Sequence, residues 1–164
     1  LKTVKTIDEA AVGYMFSGKV LYSAIYLNEL ICRLWPDNLA SEQLFALYQA
    51  GLQQLDDVQA SGTELEPCLR RFEFALLAEL GQPIDWQYDA NGQAINATAR
   101  YEWQSEAGFM PAGHGYSGAS LLNIGQDLWQ AAETKRCAKQ LSRQLLSPLL
   151  GAKPLASRAL FASE

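Results

Sequence analysis

Residues 18–35 read GKVLYSAIYLNELICRLW, and within them Val20, Ala24, Leu27, Ile31 and Leu34 follow one another at steps of 4, 3, 4 and 3. That spacing lays one apolar stripe along an α-helix. Leu21, Tyr22, Ile25, Tyr26 and Leu30 widen the stripe until most of the circumference is apolar. A helix of that kind sits at the centre of a domain, because no single face can be left in water. Pro36 followed by Asp37-Asn38 ends it. The fold is therefore expected to be mostly α, built around this helix.

The neighbouring stretches supply the other helices. Residues 41–59 set Leu44, Leu47, Tyr48, Leu52 and Leu55 on one side, with Ser41 placed to cap the first turn. Ala60-Ser61-Gly62 interrupts. Thr63 and Glu66 then match a capping box, and Pro67 falls in the first turn, where its missing N–H costs little. Leu65, Leu69, Phe72, Leu76 and Leu80 form the inner face of this third helix, which stops at Gly81 and Pro83. Residues 84–116 change character: Trp86, Tyr88, Tyr101, Trp103, Phe109 and Tyr116 cluster around Asn91-Gly92, a pattern of an irregular or hairpin-like insert. Ser117 is placed to cap a short helix through Ile124. Residues 127–150 read as the last long helix, with Ala131, Ala138, Leu141, Leu145 and Leu149 inward and Pro148 bending its end. Residues 150–154 stop it, and Ser157 opens a final turn through Phe161. Upstream, residues 1–8 alternate loosely, as in a short strand, and Asp8 can cap the next segment. The expected architecture is a helical, bundle-like domain with a small irregular or β insert around 84–116.

Composition excludes several classes of function. With 164 residues, 49% hydrophobic and 19% charged, one domain with a real core is expected. Thirteen basic against eighteen acidic residues give a formal net charge of −5, which argues against a chain that is basic throughout and grips nucleic acid with its whole surface. Cys32, Cys68 and Cys137 stand far apart, so neither a zinc ribbon nor a redox Cys pair is available, and all three read as buried thiols. His114 lies in a Gly-flanked loop with no second histidine, which supports neither a metal site nor a catalytic triad. No segment approaches the length of an apolar membrane span, so no membrane association is expected. Neither a cofactor nor a small-molecule substrate is implied.

The average charge hides an asymmetry. Between Glu133 and Glu164 there is no acid, and Lys135, Arg136, Lys139, Arg143, Lys153 and Arg158 all fall there. Lys135, Lys139 and Arg143 are spaced by four and share one helix face, which would attract phosphate or an acidic peptide. The plainer alternative is a solvated face, with cations favoured towards a helix C-terminus by its dipole. In the acidic half, Arg70 and Arg71 stand beside Phe74 and Leu77, a second stripe next to the core stripe. An arginine beside surplus apolar surface can hold a peptide carboxylate while an aromatic is buried next to it. The alternative is that Arg70 pairs with Glu66 or Glu73 and that Phe74 and Leu77 belong to the core.

Three blocks together resemble one family. They are LYSAIYLNEL at 21–30, EPCLRRFEFALL at 66–77 with Leu80-Gly81, and GAKPLASRALF at 151–161. In this order and spacing they are similar to the helical C-terminal part of RecO, a bacterial mediator of recombinational DNA repair. The resemblance implies that residues 1–10 are the link leaving an N-terminal OB-fold domain absent from this chain, and that 11–164 are the C-terminal helical domain. It implies no enzymatic chemistry. It implies instead binding to single- and double-stranded DNA (weakly, without the OB-fold), strand annealing, work with RecR, and help in loading RecA onto single strands coated by single-stranded-DNA-binding protein (SSB). It implies a cytoplasmic, nucleoid-associated protein. The acidic, Phe-ended tail of SSB would dock where the arginine of L-R-R-F-E takes part, which carries over to Arg70, with Arg71, Phe74 and Leu77 around it. Lys135, Lys139, Arg143, Lys153 and Arg158 would face DNA or an acidic partner. Residues 82–136 contain no cysteine, so the four-Cys zinc module of many relatives is not expected, and the aromatics of 84–109 would pack the insert in its place.

Two rival readings remain at this level. One is a helical protein-interaction adaptor unrelated to DNA. The other is a small hydrolase using Glu102, Glu106 or Asp127, although nothing in the sequence sets two of these at a catalytic spacing.

Overall fold

A computed structural model describes residues 13–161. The expected strand at 1–8, the Asp8 cap and the 1–10 link lie outside them. Six helices and three strands succeed one another in order: α1 (Gly18–Leu34), α2 (Glu42–Ser61), α3 (Leu65–Glu79), β1 (Arg100–Gln104), β2 (Gly108–Ala112), β3 (Tyr116–Ser117), α4 (Gly118–Gly125), α5 (Ala132–Leu150) and α6 (Ser157–Leu160). The domain is mostly helical with a small antiparallel sheet, as the periodicity predicts.

α1 is the central helix, and α2, α3, α5 and α6 all pack on it. Leu27 and Leu30 are fully buried, and they meet Leu55 of α2, Leu76 and Leu77 of α3, and Leu141 of α5 in one core. α2 crosses this core closely. A side chain at Gly51 would place its Cβ 2.9 Å from the Phe72 ring and 3.1 Å from Leu27, so the crossing needs a glycine. Ser41 caps α2, its Oγ accepting from the Leu44 N–H at 3.0 Å. α3 ends on Gly81 at φ 81°, where the Gln82 N–H donates to the Leu77 carbonyl and the Gly81 N–H to that of Ala78. That is the Schellman pattern, and glycine enters its left-handed position without strain.

The insert is a hairpin with an added strand. The sheet order is β2-β1-β3, with Tyr101 opposite Pro111 and Trp103 opposite Phe109. Phe109 is its hub: Trp103 at 5.0 Å and Tyr116 at 6.5 Å meet it edge-on, and Trp86 lies tilted to it at 6.0 Å between centroids. Trp86 in turn packs edge-on against Phe74 of α3 at 5.0 Å, and the Tyr116 hydroxyl donates to Gln144 of α5 at 2.6 Å. The aromatics therefore both pack the insert and seat it on the bundle.

Four details differ from the sequence reading. Thr63 does not cap α3; its Oγ1 lies 2.9 Å from Ser61 Oγ, and Glu64 takes the cap position. α5 starts at Ala132 rather than 127, because residues 127–131 form a connection that buries Trp129 and leaves Ala131 exposed; at the other end of the helix Leu149 is exposed as well. Ala156, not Ser157, is the cap residue of α6. Cys68 and Cys137 are buried, but Cys32 is exposed, on the outer face that α1 also gives Leu21, Ile25 and Asn28.

Candidate functional site

Arg70 and Arg71 are adjacent on α3 and reach different surroundings. Arg70 is turned into the bundle and is 7% exposed. Its Nη2 lies 2.8 Å from Glu73 Oε1, and its Nη1 donates to Ser142 Oγ of α5 at 2.7 Å. The Tyr26 hydroxyl of α1 donates to the same Glu73 oxygen at 2.6 Å. One buried ion pair thus ties three helices together. Burial, reinforced by the Glu73 carboxylate, pushes the Tyr26 hydroxyl far above its ordinary pKa. Arg70 Nε and Glu73 Oε2 have no partner among the described residues. The structure thus takes Arg70 into the core, with Glu73 as the partner foreseen in the alternative reading. Leu77, fully buried, and Phe74, covered by Trp86, are core residues too. The expected second stripe is internal because the aromatic insert lies on it.

Arg71 faces outward. Its Nε donates to Asp127 Oδ1 at 2.6 Å and its Nη2 to Asp127 Oδ2 at 3.1 Å, a two-pronged pair between side chains 39% and 60% exposed. Trp129 packs beside it, with the guanidinium carbon 5.7 Å from the ring centroid, and the indole N–H donates to Asp127 Oδ1. Hydrogen bonding from Arg71 outweighs burial and, with Trp129, holds the Asp127 carboxyl below its ordinary value. These residues line a hollow of about 370 Å³ between the C-terminal half of α2 and the start of α3, walled by Val58, Pro67 and Cys68. Nothing in the sequence singled out Trp129, and Asp127 figured only as a carboxylate; the Gly125-Gln126-Asp127 break was the available signal.

The basic residues divide into two groups. Lys135 and Lys139 do not form a free cationic face: Lys135 Nζ reaches Glu64 at 2.6 Å and Lys139 Nζ reaches Glu66 at 2.7 Å, lacing α5 to the start of α3. Arg136, Arg143, Lys153 and Arg158 are exposed. The segment bearing Lys153 and Arg158 is fastened to α1. Glu29 accepts from the N–H groups of Ala156 and Ser157, at 2.8 Å each, and from Ser157 Oγ at 2.6 Å. Arg33 donates to the carbonyls of Leu150, Lys153 and Pro154 at 2.6–3.2 Å. The carboxylate sits at the start of α6 and the guanidinium at the end of α5, each where the helix dipole favours it. Burial alone would raise the Glu29 carboxyl, but the bonds from Ser157 and Ala156, with Arg33 beside it, bring it down.

Comparison with known proteins gives the family of the chain. The family described as recombination protein O, C-terminal, matches residues 15–159. The chain belongs to the RecO family. The DNA repair protein RecO of Pseudomonas paraeruginosa is 39% identical over 165 residues, covering 98% of this chain and 69% of that protein. The DNA repair protein RecO of Pseudoalteromonas translucida is 39% identical, covering 99% and 70%, and that of Stutzerimonas stutzeri 41% identical, covering 98% and 68%. In RecO terms, the L-R-R-F-E block supplies one internal and one external arginine, and the G-x-K-P-L-x-S-R block is the segment clamped by Glu29 and Arg33.

The carboxylates of the hydrolase reading do not converge. Glu102, Glu106 and Asp127 line three different hollows. Asp127 is held by Arg71, and Glu102 lies 2.8 Å from His114 on the exposed side of the insert. Among the described residues no three His, Cys, Asp or Glu side chains gather as a metal site would need, and no helix is long and apolar enough to cross a membrane.

Proposed function

We propose that this chain acts in DNA repair and recombination as a RecO-type mediator without bond-making chemistry, docking an acidic protein tail on one face and presenting a basic face to DNA. The observation that supports the first part is the Arg71 hollow of about 370 Å³, in which a guanidinium fork stands beside Val58, Pro67, Cys68 and Trp129 among polar neighbours. The docked segment is the Phe-ended C-terminal tail of SSB. Arg71 receives its carboxylate, while Arg70, Phe74 and Leu77 hold α3 in place from behind.

The residues offered to single- or double-stranded DNA are the exposed Arg136, Arg143, Lys153 and Arg158, while Lys135 and Lys139 are engaged by Glu64 and Glu66. RecR and RecA loading belong to the same reading, as does a nucleoid-associated, cytoplasmic location.

Fluorescence anisotropy with a labelled acidic peptide ending in Phe tests the docking face. Arg71→Ala should weaken binding about 10- to 100-fold, since a hydrogen bond to a charged group contributes about 1.5–3 kcal/mol. Arg143→Ala combined with Lys153→Ala should lower DNA affinity and its salt dependence while leaving the peptide untouched. Unchanged peptide affinity in Arg71→Ala sinks the docking assignment. Failure of both ligands to bind the wild-type chain would favour the adaptor reading.

A further inference from the structure

α4 ends in the same hydrogen-bond pattern as α3: the Leu128 N–H donates to the Asn123 carbonyl at 2.8 Å and the Asp127 N–H to that of Ile124 at 3.1 Å. In α3 the left-handed position belongs to Gly81; here it belongs to Asp127, at φ 60°. An aspartate tolerates this conformation when its side chain bonds its own turn. The Asp127 carboxylate has one local bond, from the Trp129 side chain two residues on, and its other bonds are remote. Both oxygens go to Arg71 on another helix and one also to Trp129. A tertiary contact therefore holds a backbone conformation that glycine or asparagine would take with less strain.

The contact is itself a carboxylate held by an arginine fork in a hollow also lined by Val58, Pro67 and Trp129. That is the chemistry a chain-terminal aromatic residue would offer to the same place. We infer that Asp127 is a resident carboxylate that fills the Arg71 fork in the unliganded domain and must be displaced by the incoming carboxylate. This inference rests on the docking face proposed above and adds to it an internal competitor. The exposure of the Asp127 side chain, 60%, gives a ligand room to replace it. Asp57 and Glu64 also line the hollow, so a ligand's negative charge is repelled unless the fork accepts it; Glu64 is already matched by Lys135.

The competitor predicts a gain from a loss. Asp127→Asn retains an oxygen for the Trp129 indole and suits the left-handed position, but it surrenders the charge that Arg71 prefers. The labelled acidic Phe-ended peptide should bind Asp127→Asn about three- to fivefold more tightly than wild type, the range expected from breaking an exposed ion pair. The same peptide with an amidated C-terminus should show no such gain. Asp127→Gly, unstrained at this position, repeats the measurement should the Asn variant fold poorly, as judged by its thermal unfolding. If wild type binds and Arg71→Ala does not, yet neither Asp127 variant binds more tightly, the internal competitor is wrong and the docking face stands. If neither wild type nor the Asp127 variants bind, the docking face falls and the competitor with it.

Discussion

At the scale of the residue, Arg70 and Arg71 show how little separates a structural from a functional arginine. One position along a helix turns a side chain by about 100°, enough to send Arg70 to Glu73 and Ser142 in the core and Arg71 to solvent. The block Leu69-Arg70-Arg71-Phe72-Glu73 was legible as a helix, but the division of labour within it was not. The deciding partner, Ser142, lies 72 residues away. A buried ion pair makes a sharp prediction. Arg70→Met leaves the Glu73 carboxylate without its cation and should cost about 3–5 kcal/mol. Arg70→Met together with Glu73→Leu removes both charges and should recover most of that loss. Urea unfolding of the two single variants and the double variant completes the cycle; additive losses would mean that the pair is not coupled.

At the scale of the element, the helices whose apolar residues keep strict period were readable, and those defined by remote contacts were not. α1, α2 and α3 came through because each carries its own stripe. The start of α5 was misplaced because Leu128 and Trp129 continue an apolar pattern while the backbone has already turned at Asp127. α6 has four residues and no side-chain cap of its own. What fixes it is Glu29, from the far end of the chain. Glu29→Ala should therefore lower stability by about 1–2 kcal/mol, the range for losing a helix cap. Amide exchange should quicken over residues 155–160 and stay unchanged in α3. Equal acceleration in both would show that α6 is not a separate docking unit.

At the scale of the whole molecule, the net charge of −5 was a poor guide, because acids and bases are unevenly spread along the chain and partly cancel between α3 and α5. Two of the expected cationic residues neutralise Glu64 and Glu66 at that seam. The pairing joins residues 71 and 73 positions apart, which no local pattern reveals. Burial pushes the thiols of Cys68 and Cys137 up to about 11 and about 12, and the Tyr116 hydroxyl up to about 12; Tyr26 moves the same way. These groups favour their protonated forms when folded, so their contribution is full below the ordinary values of 9.0 for Cys and 10.0 for Tyr and is lost as pH rises past them. Glu29 and Asp127, both lowered, contribute fully above their ordinary 4.5 and 3.8 and lose that contribution as pH falls below those values towards the folded ones. The urea midpoint should be flat from about pH 5 to 9 and fall on both sides. A midpoint still rising between about pH 9 and 10 would contradict the burial of the thiols.

The clamp of Glu29 and Arg33 on the C-terminal segment also sets an order of assembly. α1, α2 and α3 all lie within residues 18–79 and can close their mutual contacts early, since short loops cost little entropy. The clamp spans 117 to 128 residues. On a ribosome adding about 5–20 residues per second, Glu29 leaves the tunnel roughly 6 to 25 seconds before Ser157 emerges to meet it. The segment that latches α1 is thus made long after α1 itself, and a nascent chain stalled before residue 150 would carry α1, α2 and α3 with the latch still open.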